Sequence, residues 1–182
     1  MEVTEERTGL PPVLVPVRQR LPAAQSPGQG LLFHDLSLTE LIRLSAQAAQ
    51  PQVVDVDTVE GLAADGAALA FLSERLGIRT VITRRPALAQ RARELGVLAL
   101  LKVHCLDSTG LERSLETHPG AGVGTALAPG LILAHLSGEE RMMLPEPVLA
   151  YGLLRRPGEV KAAWAAGAAA VVTEAAAGAR SP

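Results

Sequence analysis

TVITRRPALAQRARELGVLALLKVHCLD, residues 80–107, is the stretch of sequence that decides the fold prediction. It starts with a short apolar run at residues 80–84. Pro86 then begins an amphipathic helix that Gly96 ends. A second apolar run follows at residues 97–107. Strand, helix and strand in this order, with nearly continuous apolar strands, predict a parallel sheet whose faces are covered by helices.

The same unit recurs along the chain. Further helical patterns cover residues 38–49, 64–76 and 157–166, with Ser37 or Thr39 as the first N-cap and Gly77 and Gly167 as stops. Eight apolar runs predict a small, trimmed (β/α)8 TIM-type barrel, since 182 residues fall short of the usual length of about 250. An open parallel flavodoxin-like sheet is the alternative. The runs span residues 13–18, 31–35, 53–57, 80–84, 97–107, 124–129, 148–152 and 169–173.

Composition and termini set the broad class. We predict a flexible N-terminal arm at residues 1–10, a single barrel domain at 11–178 and a C-terminal tail at 179–182. The single cysteine, Cys105, fits a reducing compartment, and no signal peptide or apolar run of about 18 residues is visible. We therefore expect a cytoplasmic protein without a membrane partner.

The charge balance limits binding of nucleic acid. Lys and Arg number 17 against 19 Asp and Glu, a net charge of −2, and the aromatic residues are 1 Trp, 1 Tyr and 2 Phe. Base stacking on several rings is thereby nearly excluded. RNA binding would have to come from local patches, and the doublets Arg84–Arg85 and Arg155–Arg156 are the candidates.

Polar residues and glycines end the predicted strands, and the carboxyl ends of barrel strands form the functional mouth. Arginine there suits an anion, whereas carboxylates suit hydroxyl groups or a divalent cation. The alternative is that the aspartates only cap the following helices. The candidate ligand-binding residues are Arg18, Asp35, Asp57, Arg84, Asp107, Gly130, Gly152 and Thr173, with Lys102 pointing inward from the fifth strand.

The ends of the seventh and eighth strands are where barrels commonly bind phosphate. Gly152 and Thr173 take those positions, but Tyr151 adds bulk and Glu174 adds a repelling charge. The histidines lack metal-ligand spacing, so we predict no metal site.

Several motifs, in order, resemble the glycerol-3-phosphate-responsive antiterminator family. They are VDTVEGL at 56–62, VITR at 81–84, KVHCLDS at 102–108, LERS at 111–114, APG at 128–130 and GAAAVVT at 167–173. The resemblance implies a barrel, glycerol-3-phosphate as effector, an mRNA leader as partner and no catalysis. It makes ligand candidates of Asp57, Arg84, Lys102, Asp107, Gly130, Gly152 and Thr173. Two departures, Tyr151–Gly152 for Gly-Gly and Thr173–Glu174 for Thr-Ser, fall on the expected phosphate site.

Two other functions remain open at this point. A phosphate-binding barrel enzyme, such as an aldolase, isomerase or metal-dependent phosphodiesterase, would use Asp35, Asp57, Glu60 and Asp107 to hold Mg²⁺ and to act as a base. A diverged family member would keep the fold and lack effector binding. We favour the regulator, with no catalytic residues and no cofactor, and leave open whether it forms a homo-oligomer.

Overall fold

The computed structural model describes residues 9–22, 26 and 28–174. Its centre is a closed barrel of eight parallel strands. The strands are β1 Val13–Val17, β2 Gln29–Phe33, β3 Gln52–Asp55, β4 Thr80–Thr83, β5 Leu98–His104, β6 Gly124–Ala128, β7 Val148–Ala150 and β8 Ala170–Val172.

Strand order follows chain order, and β8 pairs with β1 to close the sheet. The predicted (β/α)8 barrel is confirmed, and the open flavodoxin-like sheet is wrong. Because all pairs are parallel, every strand ends at the same edge of the barrel. That edge is the mouth.

The helices pack around the barrel. They are α1 Leu38–Ser45, α2 Gly66–Arg75, α3 Pro86–Glu94, α4 Ser108–Glu116, α5 Gly138–Met142 and α6 Pro157–Ala165. Ser37, rather than Thr39, caps α1 through a capping box with Glu40. The predicted helix at 38–49 is too long, because Gln47 and Ala48 donate to carbonyls three residues back and tighten the chain into a turn before Pro51.

The connections show where the barrel is trimmed. Between β6 and β7 lie only the 3-10 helix Gly130–His135 and the five-residue α5. The two-residue strands Leu36–Ser37 and Val59–Glu60 form a small second sheet that the sequence patterns did not indicate. Part of the link between β1 and β2 lies outside the described residues.

The barrel interior is filled by aliphatic side chains. One buried apolar cluster takes a residue from every strand, and Leu10 joins it. We call eight of its members, one from each strand, the inner layer: Leu14, Leu32, Val53, Ile82, Leu100, Ala126, Leu149 and Ala170. Two larger clusters lie between strands and helices. The interior is therefore a packed core, as in larger barrels of this class.

The predicted arm and tail fall mainly beyond the described residues. Residues 1–8 and the tail at 179–182 lie outside that part, while Gly9 and Leu10 lie within it and Leu10 is fully buried. The domain boundaries stay predictions. In the described part of the chain no helix has the length and apolarity needed to cross a membrane.

Candidate functional site

Three polar side chains form a second layer above the inner layer. Asp55 and Lys102 each lie two residues beyond an inner-layer residue of their own strand, and Tyr151, directly after β7, lies two residues beyond Leu149. Because side chains alternate between the two faces of a strand, residues two apart point to the same face. Asp55, Lys102 and Tyr151 therefore face the barrel axis, and we call them the central cluster.

The central cluster is tightly connected. The Lys102 ammonium forms an ion pair with Asp55 Oδ2, and the Tyr151 hydroxyl donates to the same oxygen at 3.2 Å. Lys102 Nζ also lies 4.3 Å from the centre of the Tyr151 ring, a cation–π contact. Asp55 is 0% exposed, and its Oδ1 has no hydrogen-bond partner. The cluster thus holds one buried acceptor that is not satisfied within the described part of the chain.

Burial and charge alter proton binding around this cluster. Burial, and then the Asp55 carboxylate, raise the pKa of Tyr151 well above its ordinary value. The Tyr151 hydroxyl therefore stays protonated and acts as a donor. Burial, and then Lys102 and Arg84, lower the pKa of His104 at the end of β5. His104 is consequently neutral at pH 7.

An open cavity of about 810 Å³ lies at the mouth, beside Tyr151. Its walls come from the ends of β1, β2, β7 and β8. The lining residues are Pro16, Arg18, His34, Asp35, Tyr151, Gly152, Leu153, Leu154, Arg155, Val172, Thr173 and Glu174. We call this side of the mouth the cavity half.

The cavity carries charges of both signs. Within the described residues, neither Arg18 nor Arg155 lies within ion-pair distance of a carboxylate. Asp35 Oδ2 lies 2.9 Å from His34 Nδ1, and Glu174 also lines the cavity, at the end of β8. Guanidinium groups without a carboxylate partner can bind an anion, and carboxylates can accept from hydroxyl groups.

Backbone strain collects at this cavity. Asp35 (φ 51°) and Leu153 (φ 61°) are the two non-glycine residues of the described part with positive φ, and both line the cavity. Gly152 precedes Leu153 with φ 81°. Strained residues of this kind cluster at ligand sites, where surrounding structure holds them. Their position favours the cavity as the functional site.

The other side of the mouth, at the ends of β3 and β4, is organised around Asp57. Its side chain is only 2% exposed, and its Oδ2 accepts from the Thr83 hydroxyl at 3.0 Å and from the Arg84 N–H. Arg84 Nε lies 3.8 Å from Oδ2, and Arg85 Nε lies 3.3 Å from Oδ1. Both arginine side chains remain mostly exposed. We call Asp57, Arg84 and Arg85 the arginine half.

The predicted ligand residues therefore separate into groups. Arg18, Asp35, Gly152 and Thr173 line the cavity, while Asp57 and Arg84 pair with each other outside it. Lys102 belongs to the central cluster and is not a lining residue. These residues all lie at the mouth, in two halves around a buried centre, and their role in ligand binding stays a prediction.

Helix capping explains one of the three aspartates. Asp107 accepts from Gly110 N–H at 2.6 Å and is the N-cap of α4. Asp35 and Asp57 are not helix caps, because Ser37 caps α1 and Asp65 caps α2. The capping alternative therefore holds for Asp107 alone.

Gly130 and Thr173 fix the backbone around the cavity. Gly130 N–H donates to the carbonyls of Tyr151 and Gly152 at 2.8 and 3.0 Å. A Cβ on Gly130 would lie 2.6 Å from the Ala150 carbonyl carbon, so only glycine fits without a shift. The buried Thr173 hydroxyl donates to the Leu154 carbonyl at 2.7 Å. Both residues hold the segment after β7 in position.

The acids of the enzyme alternative have different partners in the structure. Asp107 caps a helix and Asp57 pairs with arginines. Asp35 lies at the end of the neighbouring strand, where its side chain contacts His34 and its backbone N–H donates to the Thr58 hydroxyl at 3.1 Å. Among the described residues there is no group of three His, Cys, Asp or Glu side chains that could hold a metal ion.

The predicted RNA-binding doublets lie in different halves. Arg84 and Arg85 follow β4, whereas Arg155 and Arg156 follow β7 and precede α6. The backbone N–H groups of Arg155 and Arg156 both donate to Glu159, at 2.8 and 2.9 Å. Glu159 therefore already satisfies these donors at the N-terminus of α6. Anion binding by this doublet would have to come from its side chains.

Asp55 and the inward role of Tyr151 were missed in the sequence. The signal was present, because Asp55 follows Val53 by two residues and Tyr151 follows Leu149 by two. Asp57, two residues further along the chain, lies at the predicted end of the same strand. A count of period two from the apolar centre of each strand would have selected all three members of the central cluster.

Fold and site together define a small (β/α)8 barrel with a polar cavity at the carboxyl ends of its strands. The chain belongs to the family described as glycerol-3-phosphate responsive antiterminator, which it matches over residues 30–177. The comparison with curated proteins gives no match.

Solved structures share the fold. The glycerol uptake operon antiterminator regulatory protein of Listeria monocytogenes is 23% identical with a TM-score of 0.68, covering 79% of this chain and 80% of that one. A glycerol uptake operon antiterminator-related protein of Thermotoga maritima is 20% identical with a TM-score of 0.63, covering 89% and 94%. The dihydropteroate synthase of Xanthomonas albilineans is 15% identical with a TM-score of 0.56, covering 93% and 88%. Because this fold also occurs in enzymes, the likeness supports architecture and not activity.

Proposed function

We propose that this protein is a transcription antiterminator that binds glycerol-3-phosphate in its cavity half and a leader RNA through its surface arginines. Family membership favours a regulator over an enzyme. The observation that carries the ligand proposal is the cavity itself, in which two arginines that have no ion-pair partner among the described residues lie beside two carboxylates. A cytoplasmic location remains our expectation.

The ligand chemistry follows from these charges. The side chains of Arg18 and Arg155 bind the phosphate, while Asp35 and Glu174 accept from the hydroxyl groups of the glycerol part. A ligand with an anionic end and a polyol end matches a cavity that has both kinds of partner. Glycerol alone would leave both guanidinium groups unpaired, so it should bind far more weakly.

The RNA proposal rests on exposed guanidinium groups. The net charge of −2 provides no general attraction for RNA, so contacts must come from local groups. Arg84 and Arg85 are held by Asp57 at the open rim, with their side chains mostly exposed. Such groups are suited to the phosphates of an RNA strand, which is too large to enter the cavity.

Thermal unfolding with and without ligand tests effector binding. At 100 times its dissociation constant a ligand adds about 2.7 kcal/mol to the free energy of unfolding. At roughly 2–4 °C per kcal/mol for this chain length, sn-glycerol-3-phosphate should raise Tm by about 5–10 °C. Glycerol and inorganic phosphate at equal concentration are the controls. No rise at millimolar glycerol-3-phosphate would overturn effector binding, and turnover of the ligand would point to an enzyme.

Salt dependence of binding to a leader RNA tests the second part. For single-stranded RNA the log–log slope is about −0.7 per neutralised phosphate. The double variant Arg84→Ala with Arg85→Ala should therefore flatten the slope by roughly one to two units. Arg75→Ala is the matched control, since this exposed arginine ends α2 at the opposite end of the barrel. An unchanged slope in the double variant would remove Arg84 and Arg85 from the RNA surface.

A further inference from the structure

We propose that Tyr151 determines ligand specificity by restricting the cavity to short polyol phosphates. This inference deepens the proposed function and rests on it. Tyr151 is a lining residue, whereas Asp55 and Lys102, which contact its hydroxyl and its ring, are not. The phenol side chain therefore separates the cavity from the most strongly charged part of the barrel interior.

Several contacts hold Tyr151 in this position. Its hydroxyl donates to Asp55, its ring lies on the Lys102 ammonium, and its backbone N–H donates to the Leu127 carbonyl at 2.9 Å. Gly130 N–H binds the Tyr151 carbonyl from the neighbouring strand end. Because both the side chain and the backbone are fixed, ordinary rotamer motion does not uncover Asp55.

The hydroxyl of Tyr151 takes the place of a ligand hydroxyl. It occupies one hydrogen-bonding position on Asp55 Oδ2, and Asp55 Oδ1 still has no partner among the described residues. Lys102 supplies further donors next to it. With a small side chain at position 151, Asp55 and Lys102 would become accessible to the hydroxyl groups of a longer ligand. With tyrosine, the additional hydroxyl groups of such a ligand find no partner there.

Isothermal titration with two ligands tests this role. The probes are sn-glycerol-3-phosphate and the linear six-carbon D-glucitol 6-phosphate. The wild type should bind D-glucitol 6-phosphate no more tightly than glycerol-3-phosphate. Tyr151→Ala should shift the ratio of the two dissociation constants at least about tenfold toward the longer ligand, since each new hydrogen bond to a charged group is worth roughly that factor.

Two further variants distinguish the effect of the Tyr151 ring from the effect of its hydroxyl group. Tyr151→Phe retains the ring, so the ratio should stay within about twofold of wild type even if both affinities change. Tyr151→Ala combined with Asp55→Asn should lose the gain for the longer ligand, because the newly accessible acceptor is no longer charged. If circular dichroism shows that Tyr151→Ala is unfolded, Tyr151→Leu replaces it and should shift the ratio in the same direction by a smaller factor.

The outcomes separate this inference from the proposed function. An unchanged ratio in Tyr151→Ala, or an equal shift in Tyr151→Phe, would overturn the role of Tyr151. A wild type that binds the longer ligand tenfold more tightly would do the same. If the wild type does not bind glycerol-3-phosphate but Tyr151→Ala binds D-glucitol 6-phosphate, the effector proposal fails and the role of Tyr151 stands. If neither protein binds either ligand, both fail.

Discussion

The two halves of the mouth use the same side-chain types with opposite results. In the arginine half, the buried Asp57 carboxylate pairs with Arg84 and Arg85. In the cavity half, Arg18 and Arg155 lie beside open space, and no described carboxylate lies within ion-pair distance of either. The difference shows that the position of an arginine at a strand end does not define its role. The partner that it has in the folded protein does.

This contrast suggests that the cavity half binds a small anion and the arginine half binds a large polyanion. An arginine without an ion-pair partner, in a concave site, can bind a small anion without first breaking an ion pair. Exposed arginines held by a buried carboxylate form a fixed surface that suits a large polyanion. The central cluster contacts both halves, because Tyr151 lines the cavity and Asp55 lies two residues before Asp57.

Removing the charge of Asp55, in the central cluster between the halves, should give the largest loss of stability. Asp55→Leu leaves the Lys102 ammonium buried and unpaired, so it should lower the free energy of unfolding by about 3–5 kcal/mol. Urea denaturation measures the loss. The double variant Asp55→Leu with Lys102→Met should recover most of it. Equal losses in the single and double variants would show that the ion pair is not the cause.

A side chain at Gly130 should disturb the cavity half. In Gly130→Ala the new Cβ meets the backbone of Ala150 and Tyr151, so overpacking should cost about 1–3 kcal/mol in urea denaturation. Gly158→Ala is the matched control, because nothing lies within 4 Å of its added Cβ. The clash explanation fails if both variants change stability by the same amount.

Removing the Asp57 charge should make the arginine half resemble the cavity half. Asp57→Asn weakens the contacts to Thr83 and to both arginines, and should cost about 1 kcal/mol because the arginines are mostly exposed. It should also steepen the salt dependence of RNA binding, since the guanidinium groups lose their competing carboxylate. Asp65→Asn, a cap for which asparagine serves equally well, is the control. A weaker salt dependence in Asp57→Asn would contradict the inference that the Asp57 carboxylate competes with RNA for Arg84 and Arg85.

The smallest effect concerns His104, whose pKa is lowered by burial and then by Lys102 and Arg84. The folded state binds this proton more weakly than the unfolded state. The contribution to stability is thus present above the unfolded pKa of about 6.5 and is lost as pH falls through the folded pKa. By NMR, Arg84→Ala should raise the His104 midpoint and Arg18→Ala should not. Equal shifts in both variants would remove the electrostatic distinction between the halves.

The barrel could be predicted from sequence because apolar strands and capped helices are local patterns. The strand–helix–strand pattern at residues 80–107 appears as β4, α3 and β5, with Pro86 starting the helix. Ser37, one of the two predicted N-caps of α1, forms a capping box with Glu40. These features depend on neighbours within a few residues.

The division of the mouth could not be predicted in the same way. Asp57 and Arg84 are separated by 27 positions, and Tyr151 and Asp55 by 96. Which carboxylate reaches which cation depends on side-chain length and strand register across the barrel. Strand ends located the mouth but did not show that Arg84 has a partner or that Tyr151 covers Asp55.

Titration of glycerol-3-phosphate into two arginine variants tests the central claim most directly. Arg18→Ala and Arg84→Ala remove the same charge from the same edge of the barrel, one from each half. The account predicts that Arg18→Ala weakens glycerol-3-phosphate binding at least about tenfold, while Arg84→Ala leaves the dissociation constant within about twofold of wild type. A loss of binding in Arg84→Ala with normal binding in Arg18→Ala would contradict the assignment of the effector to the cavity half.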